Sequence, residues 1–335
     1  MRRLQLDDLA KQLGFSKTLI SMVLNGKGNH YGISQSTQAT VLDAVAKLNY
    51  VPNKFAKSLR TGRSHFIGLI VSDIANPFYS TIAKNVEGVL SREGYNLMVC
   101  STEENEEKEK QLVEMMIYQQ GVDGLIIASS FKDAAFYNQA RFNTVPLVFI
   151  DRVLPLYSAN YVVIDNFGGS ADVVNKLVET GAKKVACLAI TPLHLSTIED
   201  RLNGYKSALL AHGYKKPEQL IKAIHYDNIQ NDVEAALNEL RSVKGGVDAI
   251  FVLNNNIAVA LLGTIRRKEY EDFKEVKIAC FDDIALFNIM DKKVFSVSQP
   301  VEEIGRNSSN ILLEIIGGKE NNKTTTVLST TTITR

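Results

Sequence analysis

The stretch LDDLAKQLGFSKTLISMVLNG, residues 6–26, decides how the rest of the chain is read. Leu6, Leu9, Ala10 and Leu13 recur at helical spacing, and Asp7 and Asp8 stand where the positive end of a helix dipole would be. Gly14-Phe15 breaks that helix. Ser16 is placed to cap a second, Lys17 to Leu24, with an inner face of Leu19, Ile20, Val23 and Leu24; Asn25-Gly26 stops it. Downstream, Ser34 caps a third helix predicted to carry Val41, Leu42, Val45 and Leu48 on one face. Two short helices joined by a Gly-containing turn and braced by a third make a helix-turn-helix pattern, although a small helical bundle of another kind would share it.

Charge supports the first reading. Residues 1–64 hold ten Lys/Arg against three Asp/Glu, while the remaining 28 Lys/Arg face 34 Asp/Glu, so a basic head is joined to an acidic body. That asymmetry is expected of a DNA-binding module fused to a domain that does not bind DNA. With 335 residues, 45% of them hydrophobic, the chain can build two or three cored domains. No apolar run approaches membrane-spanning length, and Asp7 and Asp8 interrupt any signal-peptide core, so a cytoplasmic protein is expected. Cys100, Cys187 and Cys280 lie far apart in apolar runs and are expected to be buried, reduced thiols. No cofactor or metal is expected.

Pro52 ends the head, and Asn53 to Leu59 has the length of one short helix. From His65 the texture changes. Strand-length apolar runs (66–71, 96–100, 124–128, 146–150) alternate with helical stretches near 78–93 and 104–119. A second series follows, with strands near 162–164, 185–190, 223–226, 249–253 and 276–281 and helices near 169–180, 197–212, 229–241 and 257–267. Continuous apolar strands alternating with helices indicate parallel sheets covered on both faces, here two doubly wound lobes.

These motifs, in order, resemble the lactose/galactose repressor (LacI/GalR) family: residues 6–26, the linker LNYVPNKFAKSLRTGRS (48–64), IGLIVSDIANPFY (67–79), VFIDR (148–152), DNFGGSA (165–171), DRLNGY (200–205), NNNIA (254–258) and FDD (281–283). The resemblance covers essentially the whole chain. It implies an all-α headpiece at 1–49, a linker with a hinge helix at 50–63, and a two-lobed domain of the periplasmic-binding-protein type at 64–335. The N-lobe would comprise about 64–164 and 301–321, and the C-lobe about 165–298 and 322–335. The implied function is a sequence-specific transcriptional repressor, a homodimer on pseudo-palindromic operator DNA, controlled by a small effector of the sugar class.

The resemblance places helix 17–24 in the major groove, with Lys17 and Thr18 reaching base edges. Position 22, where many relatives carry an arginine, is Met22 here and offers only apolar contact. Ser16, Ser21 and Asn25 suit phosphates. The loop Gly26–Ile33, with Lys27, His30 and Tyr31, is longer than usual for the family. Leu59 matches the leucine that wedges into the minor groove, with Ala56 and Lys57 on the groove-facing side. Strand ends then nominate effector contacts, since parallel sheets bind ligands beyond their carboxyl ends: Asp73, Phe78, Ser129, Asp151, Asn254 and Asp282, with Gln299 in the crossover; the resemblance implies Arg201 as the effector-binding arginine and Tyr226 as a stacking aromatic. The acidic residue usual after Asn254 is Asn255 here.

An enzyme of doubly wound fold is the first rival, but neither G-x-G-x-x-G after the first strand nor G-x-x-x-x-G-K-[ST] occurs. A transport sugar-binding module is the second, and the basic head argues against it. With no leucine heptad near Arg335, a dimer is expected in place of a tail-zipped tetramer.

Overall fold

The computed structural model describes residues 4–50 and 62–335. They divide into a head, up to Ser64, and a body, His65–Arg335. The predicted hinge helix lies outside the described residues.

The head contains α1 (Leu6–Leu13), α2 (Lys17–Leu24) and α3 (Gln35–Lys47). Its ends are fixed locally. Gly14 closes α1 at a φ of +66°, a conformation open to glycine at little cost. The predicted caps form: Ser16 Oγ accepts the Leu19 N–H at 3.1 Å, and Ser34 Oγ accepts the Thr37 N–H at 3.2 Å. Leu9, Ile20, Val23, Val41 and Tyr50 make the buried centre. Leu42 does not share the predicted α3 face: it is half exposed, because one residue beyond Val41 is about 100° around the helix.

The body begins with β1 (Phe66–Val71), α4 (Pro77–Arg92), β2 (Asn96–Ser101), α5 (Glu106–Glu114), β3 (Gly124–Ile127), β4 (Leu147–Ile150) and β5 (Asn160–Ile164). The predicted helix near 104–119 is α5 continued by a π-helical turn, Met115–Gln119. Then come α6 (Asn166–Glu179), β6 (Val185–Ile190), α7 (Ser196–Ala211), β7 (Ile221–Ile224), α8 (Ile229–Arg241), β8 (Ala249–Val252), α9 (Asn255–Ile265) and β9 (Lys277–Phe281). The tail adds β10 (Val294–Ser298), α10 (Val301–Ile316), β11 (Thr325–Leu328) and β12 (Thr331–Thr334).

Two six-stranded sheets result, β11-β5-β4-β3-β1-β2 and β12-β10-β9-β8-β6-β7. Every neighbouring pair is parallel except β10 with β12. Strands such as β3, β4 and β8 are buried at every position, as sheets covered on both faces require. The chain passes between lobes after β5, after β10 and after β11. The last passage corrects the expected boundary. Residues 322–335 do not all belong to the C-lobe, because Thr325–Leu328 pairs in parallel with Tyr161–Ile164 in the first sheet, and only β12 joins the second. One short strand on each side of a crossing has too little periodicity to reveal its partner.

Helices α6 and α7 pack closely through Gly204. A Cβ there would lie 2.3 Å from the Phe167 carbonyl oxygen and 2.8 Å from Ser170 Cβ. Ser170 Oγ donates to the Arg201 carbonyl at 2.7 Å in the same contact. Alanine is the better helix former by about 1 kcal/mol. Here overpacking against backbone, on the order of 1–3 kcal/mol, should prevail. Gly204→Ala is therefore expected to lower the thermal unfolding temperature, read by circular dichroism; an unchanged or raised value would contradict the packing argument.

Candidate functional site

The carboxyl ends of the two sheets face one cleft inside the body, lined by residues of both lobes. Arg201 enters from α7. Its Nε donates to Asn166 Oδ1 at 2.8 Å, its Nη1 to the Leu253 carbonyl at 2.8 Å, and its guanidinium lies 3.8 Å from the centre of the Phe281 ring. Burial lowers its pKa, opposed by Asp282 and Asp151. Asp282 follows β9 at a φ of +119°, in the region that favours glycine. Its Oδ2 accepts the Asn255 N–H at 2.9 Å and its Oδ1 accepts Gln299 Nε2 at 2.5 Å. Burial pushes its carboxyl up to about 6, partly offset by Arg201.

Of the nominated effector residues, Asp73, Phe78, Asp151, Arg201, Tyr226, Asn254, Asp282 and Gln299 all line the cleft. Asp151 accepts a hydrogen bond from the Tyr79 hydroxyl at 2.8 Å. Tyr226, from the C-lobe, has its phenol raised by burial and by the Asp73 carboxylate of the N-lobe. Asn254 has a second task, since its Oδ1 caps α9 by accepting the Ile257 N–H at 3.0 Å.

Ser129 is a correction. It is buried and does not line the cleft. Its hydroxyl donates to Glu109 Oε1 at 2.7 Å and accepts the Phe131 N–H at 3.2 Å. Position at a strand end made it a candidate, but the buried Glu109 claims it.

Sequence reasoning missed Ser72, Asn76, Tyr79, Glu104, Arg152, Thr197 and Asn256, which also line the cleft. Arg152 carried a signal, because it directly follows Asp151 at the end of β4. Asn76 and Asn255 join the lobes through a reciprocal pair of hydrogen bonds. Asn255 Nδ2 donates to Asn76 Oδ1 at 2.8 Å, and Asn76 Nδ2 donates to Asn255 Oδ1 at 3.2 Å. An aspartate at 255 would lack the donor for half of this pair. The Val153 N–H adds a second bridge, to Ser196 Oγ at 2.9 Å. The free volume enclosed is about 50 Å³. Pockets for small organic ligands run to several hundred Å³, so this is a closed arrangement that must open to admit one.

In the head, Lys17 and Thr18 are exposed at the start of α2, and Lys17 pairs with Asp7 of α1. Met22 is half-buried. Ser16 is occupied as a cap acceptor, and Asn25 Nδ2 donates to the Ser21 carbonyl at 2.6 Å and to Ser21 Oγ at 3.3 Å. The hydroxyls of Ser16 and Ser21 keep a proton to donate. The long loop is internally braced, with Asn29 Oδ1 accepting from Gln35 Nε2 and Gln38 Nε2 at 3.2 and 2.9 Å. Its Lys27, His30 and Tyr31 are exposed. Ala56, Lys57 and Leu59 lie outside the described residues.

Comparison with known proteins matches residues 5–53 to the bacterial regulatory proteins of the lacI family and residues 64–335 to the periplasmic binding proteins and sugar binding domain of the LacI family. The chain belongs to the LacI family. The HTH-type transcriptional regulator CelR of Thermobifida fusca is 30% identical over 98% of this chain and 96% of its own. A solved CelR–cellobiose complex is 27% identical, with a TM-score of 0.68 over 99% of this chain and 98% of that one. The lac repressor dimer bound to operator and the anti-inducer ONPF, 23% identical, shares the fold with a TM-score of 0.82 over 99% of this chain and 98% of its own. This LacI-family chain is a transcriptional regulator and not an enzyme. Among the described residues no helix is long and apolar enough to cross a membrane.

Two predictions follow from the cleft. Each Asn76–Asn255 hydrogen bond contributes about 1 kcal/mol net, so the pair should shift the closed–open balance roughly tenfold or more. Asn76→Ala and Asn255→Ala should each enlarge the ligand-free body in small-angle X-ray scattering, and the double variant should add little; additive effects would show that the two amides act independently. For Asp282, the fold holds the proton more tightly than the unfolded chain does. The cost of ionising it in the fold is absent below about pH 4, grows to about pH 6 and persists above, reaching about 3 kcal/mol. Asp282→Asn removes that cost but presents an N–H2 group to one of the two donors, Asn255 N–H or Gln299 Nε2, so its unfolding temperature relative to the wild type should rise as the pH goes from 4 to 7. A pH-independent difference would refute this assignment.

Proposed function

We propose that this regulator is a cytoplasmic, homodimeric repressor whose affinity for a pseudo-palindromic operator is set by a sugar or sugar derivative bound in the interlobe cleft. The family match across head and body in one chain carries this reading. Support for a carbohydrate comes from the cellobiose-bound relative and from the cleft's chemistry. Phe78 and Tyr226 supply aromatic surface, while Asn254, Asp282, Gln299 and Arg201 supply convergent donors and acceptors for hydroxyl groups.

In this reading α2 lies in the major groove. Lys17 leaves Asp7 for a base edge or phosphate at small cost, because an exposed ion pair contributes at most about 1 kcal/mol. Thr18 reads beside it, and Met22 offers a thymine methyl an apolar contact. Ser16, Ser21 and Asn25 position the helix on phosphates. Leu59, with Ala56 and Lys57, is the proposed minor-groove element, where an apolar wedge favours bent DNA. Admitting a sugar opens the closed cleft, and the lobe arrangement that the bound sugar sets reaches, through the linker, the geometry presented to the operator.

The test is fluorescence anisotropy with DNA from upstream of the protein's own gene, at low salt, with and without neutral sugars. Specific binding that changes with one sugar is expected, and Lys17→Ala should weaken it by about tenfold, on the order of one lost base or phosphate contact. Absence of specific binding under every condition would overturn the reading.

A further inference from the structure

Two buried guanidiniums in one cleft would ordinarily make an anion site, because the arginine fork matches phosphate and carboxylate groups. In this cleft Arg152 is already occupied. Its Nη1 donates to Glu104 Oε2 at 2.7 Å and its Nη2 to Glu104 Oε1 at 2.5 Å, a two-point pairing with one carboxylate. Nη1 also reaches the Ser129 carbonyl at 3.1 Å, while Nε, 3.4 Å from Asp151 Oδ2, makes no hydrogen bond among the described residues. Glu104 and Arg152 both line the cleft, with side chains 11% and 8% exposed, so the pair is screened little by solvent.

Glu104 reaches this position through an uncommon backbone. Glu103 and Glu104 follow β2 with φ of +56° and +57°, two consecutive residues in the left-handed region without a glycine. The turn is held by the Glu103 N–H on the Ser72 carbonyl at 2.8 Å and the Asn105 N–H on the Thr102 carbonyl at 3.1 Å. Strain of this kind persists where surrounding structure imposes it, and it gathers at functional sites. The balance of the lining is equally plain. Asp73, Glu104, Asp151 and Asp282 face Arg152 and Arg201, and among the described residues no lysine or histidine joins them.

We propose that Glu104 is a specificity-determining residue: by occupying Arg152 it makes the cleft reject phosphorylated and carboxylated ligands and select uncharged polyols. This rests on the effector reading above. An entering phosphate would have to displace a paired carboxylate and then sit among the remaining aspartates. Rejection of the wrong ligand by like charge supplies selectivity that hydroxyl contacts alone would not.

The test uses the full chain and titration calorimetry with glucose, ribose and cellobiose against glucose 6-phosphate, ribose 5-phosphate and inorganic phosphate. The wild type should bind no phosphate ester within about tenfold of its best neutral sugar, a margin set by one like-charge contact. Glu104→Gln keeps the shape and removes the charge. It should gain phosphate binding, seen also as a rise in unfolding temperature with inorganic phosphate, and adding Arg152→Gln should abolish the gain. A wild type that binds phosphate esters as tightly as neutral sugars overturns the proposal. So does a folded Glu104→Gln variant whose neutral-to-phosphate preference and response to inorganic phosphate are unchanged. Removing one partner of a buried pair can unfold a protein; if Glu104→Gln does not fold, the wild-type preference and its response to inorganic phosphate decide. Operator binding, measured in parallel, reports separately on the regulator reading.

Discussion

The body is organised around one carboxylate. Asp282 accepts from the first N–H of α9 through Asn255, holds Gln299 where the chain leaves β10 for the other lobe, and offsets the charge of Arg201. These groups come from separate elements; without it the Asn255 N–H and Gln299 Nε2 would lose their acceptor and Arg201 a compensating charge. Among the described residues Gln299 Oε1 has no hydrogen-bond partner. Concentrating so many duties on a buried carboxylate has a cost in solvation, visible in its raised pKa. The site is thus built from groups that stability alone would not select.

Some of the backbone strain shares this geography, although Asn49, His65, Leu156 and Lys216 carry positive φ without lining the cleft. Glu104, Asp151 and Asp282 follow β2, β4 and β9, line the cleft and have positive φ. A strand that ended in ordinary extended or helical backbone would carry its side chain elsewhere. The left-handed residue turns the acidic group inward at the edge of the sheet. The cost is borne by sheets whose central strands are buried at every or nearly every position.

The head works by different physics. Its helices begin and end on contacts three or four residues away, and its core is a handful of apolar side chains. Among the described residues the head presents exposed Lys17, paired with Asp7, exposed Thr18, a braced loop carrying Lys27, His30 and Tyr31, and no buried charged side chain. The head and the cleft therefore rest on separate sets of contacts, with separate cores.

From sequence alone the helix-turn-helix, its caps, and the alternation of buried strands with helices were legible, because each depends on residues within a few positions of one another. Strand ends and the resemblance together nominated nine residues, of which eight line the cleft, because a parallel sheet gathers its carboxyl ends at one edge. The tertiary structure alone decided the rest. Leu42 turned outward, Thr325–Leu328 joined the first sheet, Ser129 was claimed by Glu109, and Glu104 was turned onto Arg152. The Asn76–Asn255 pair spans 179 residues of sequence. No local pattern encodes a contact of that separation; it exists only once two sheets have packed and brought their strand ends to the same cleft.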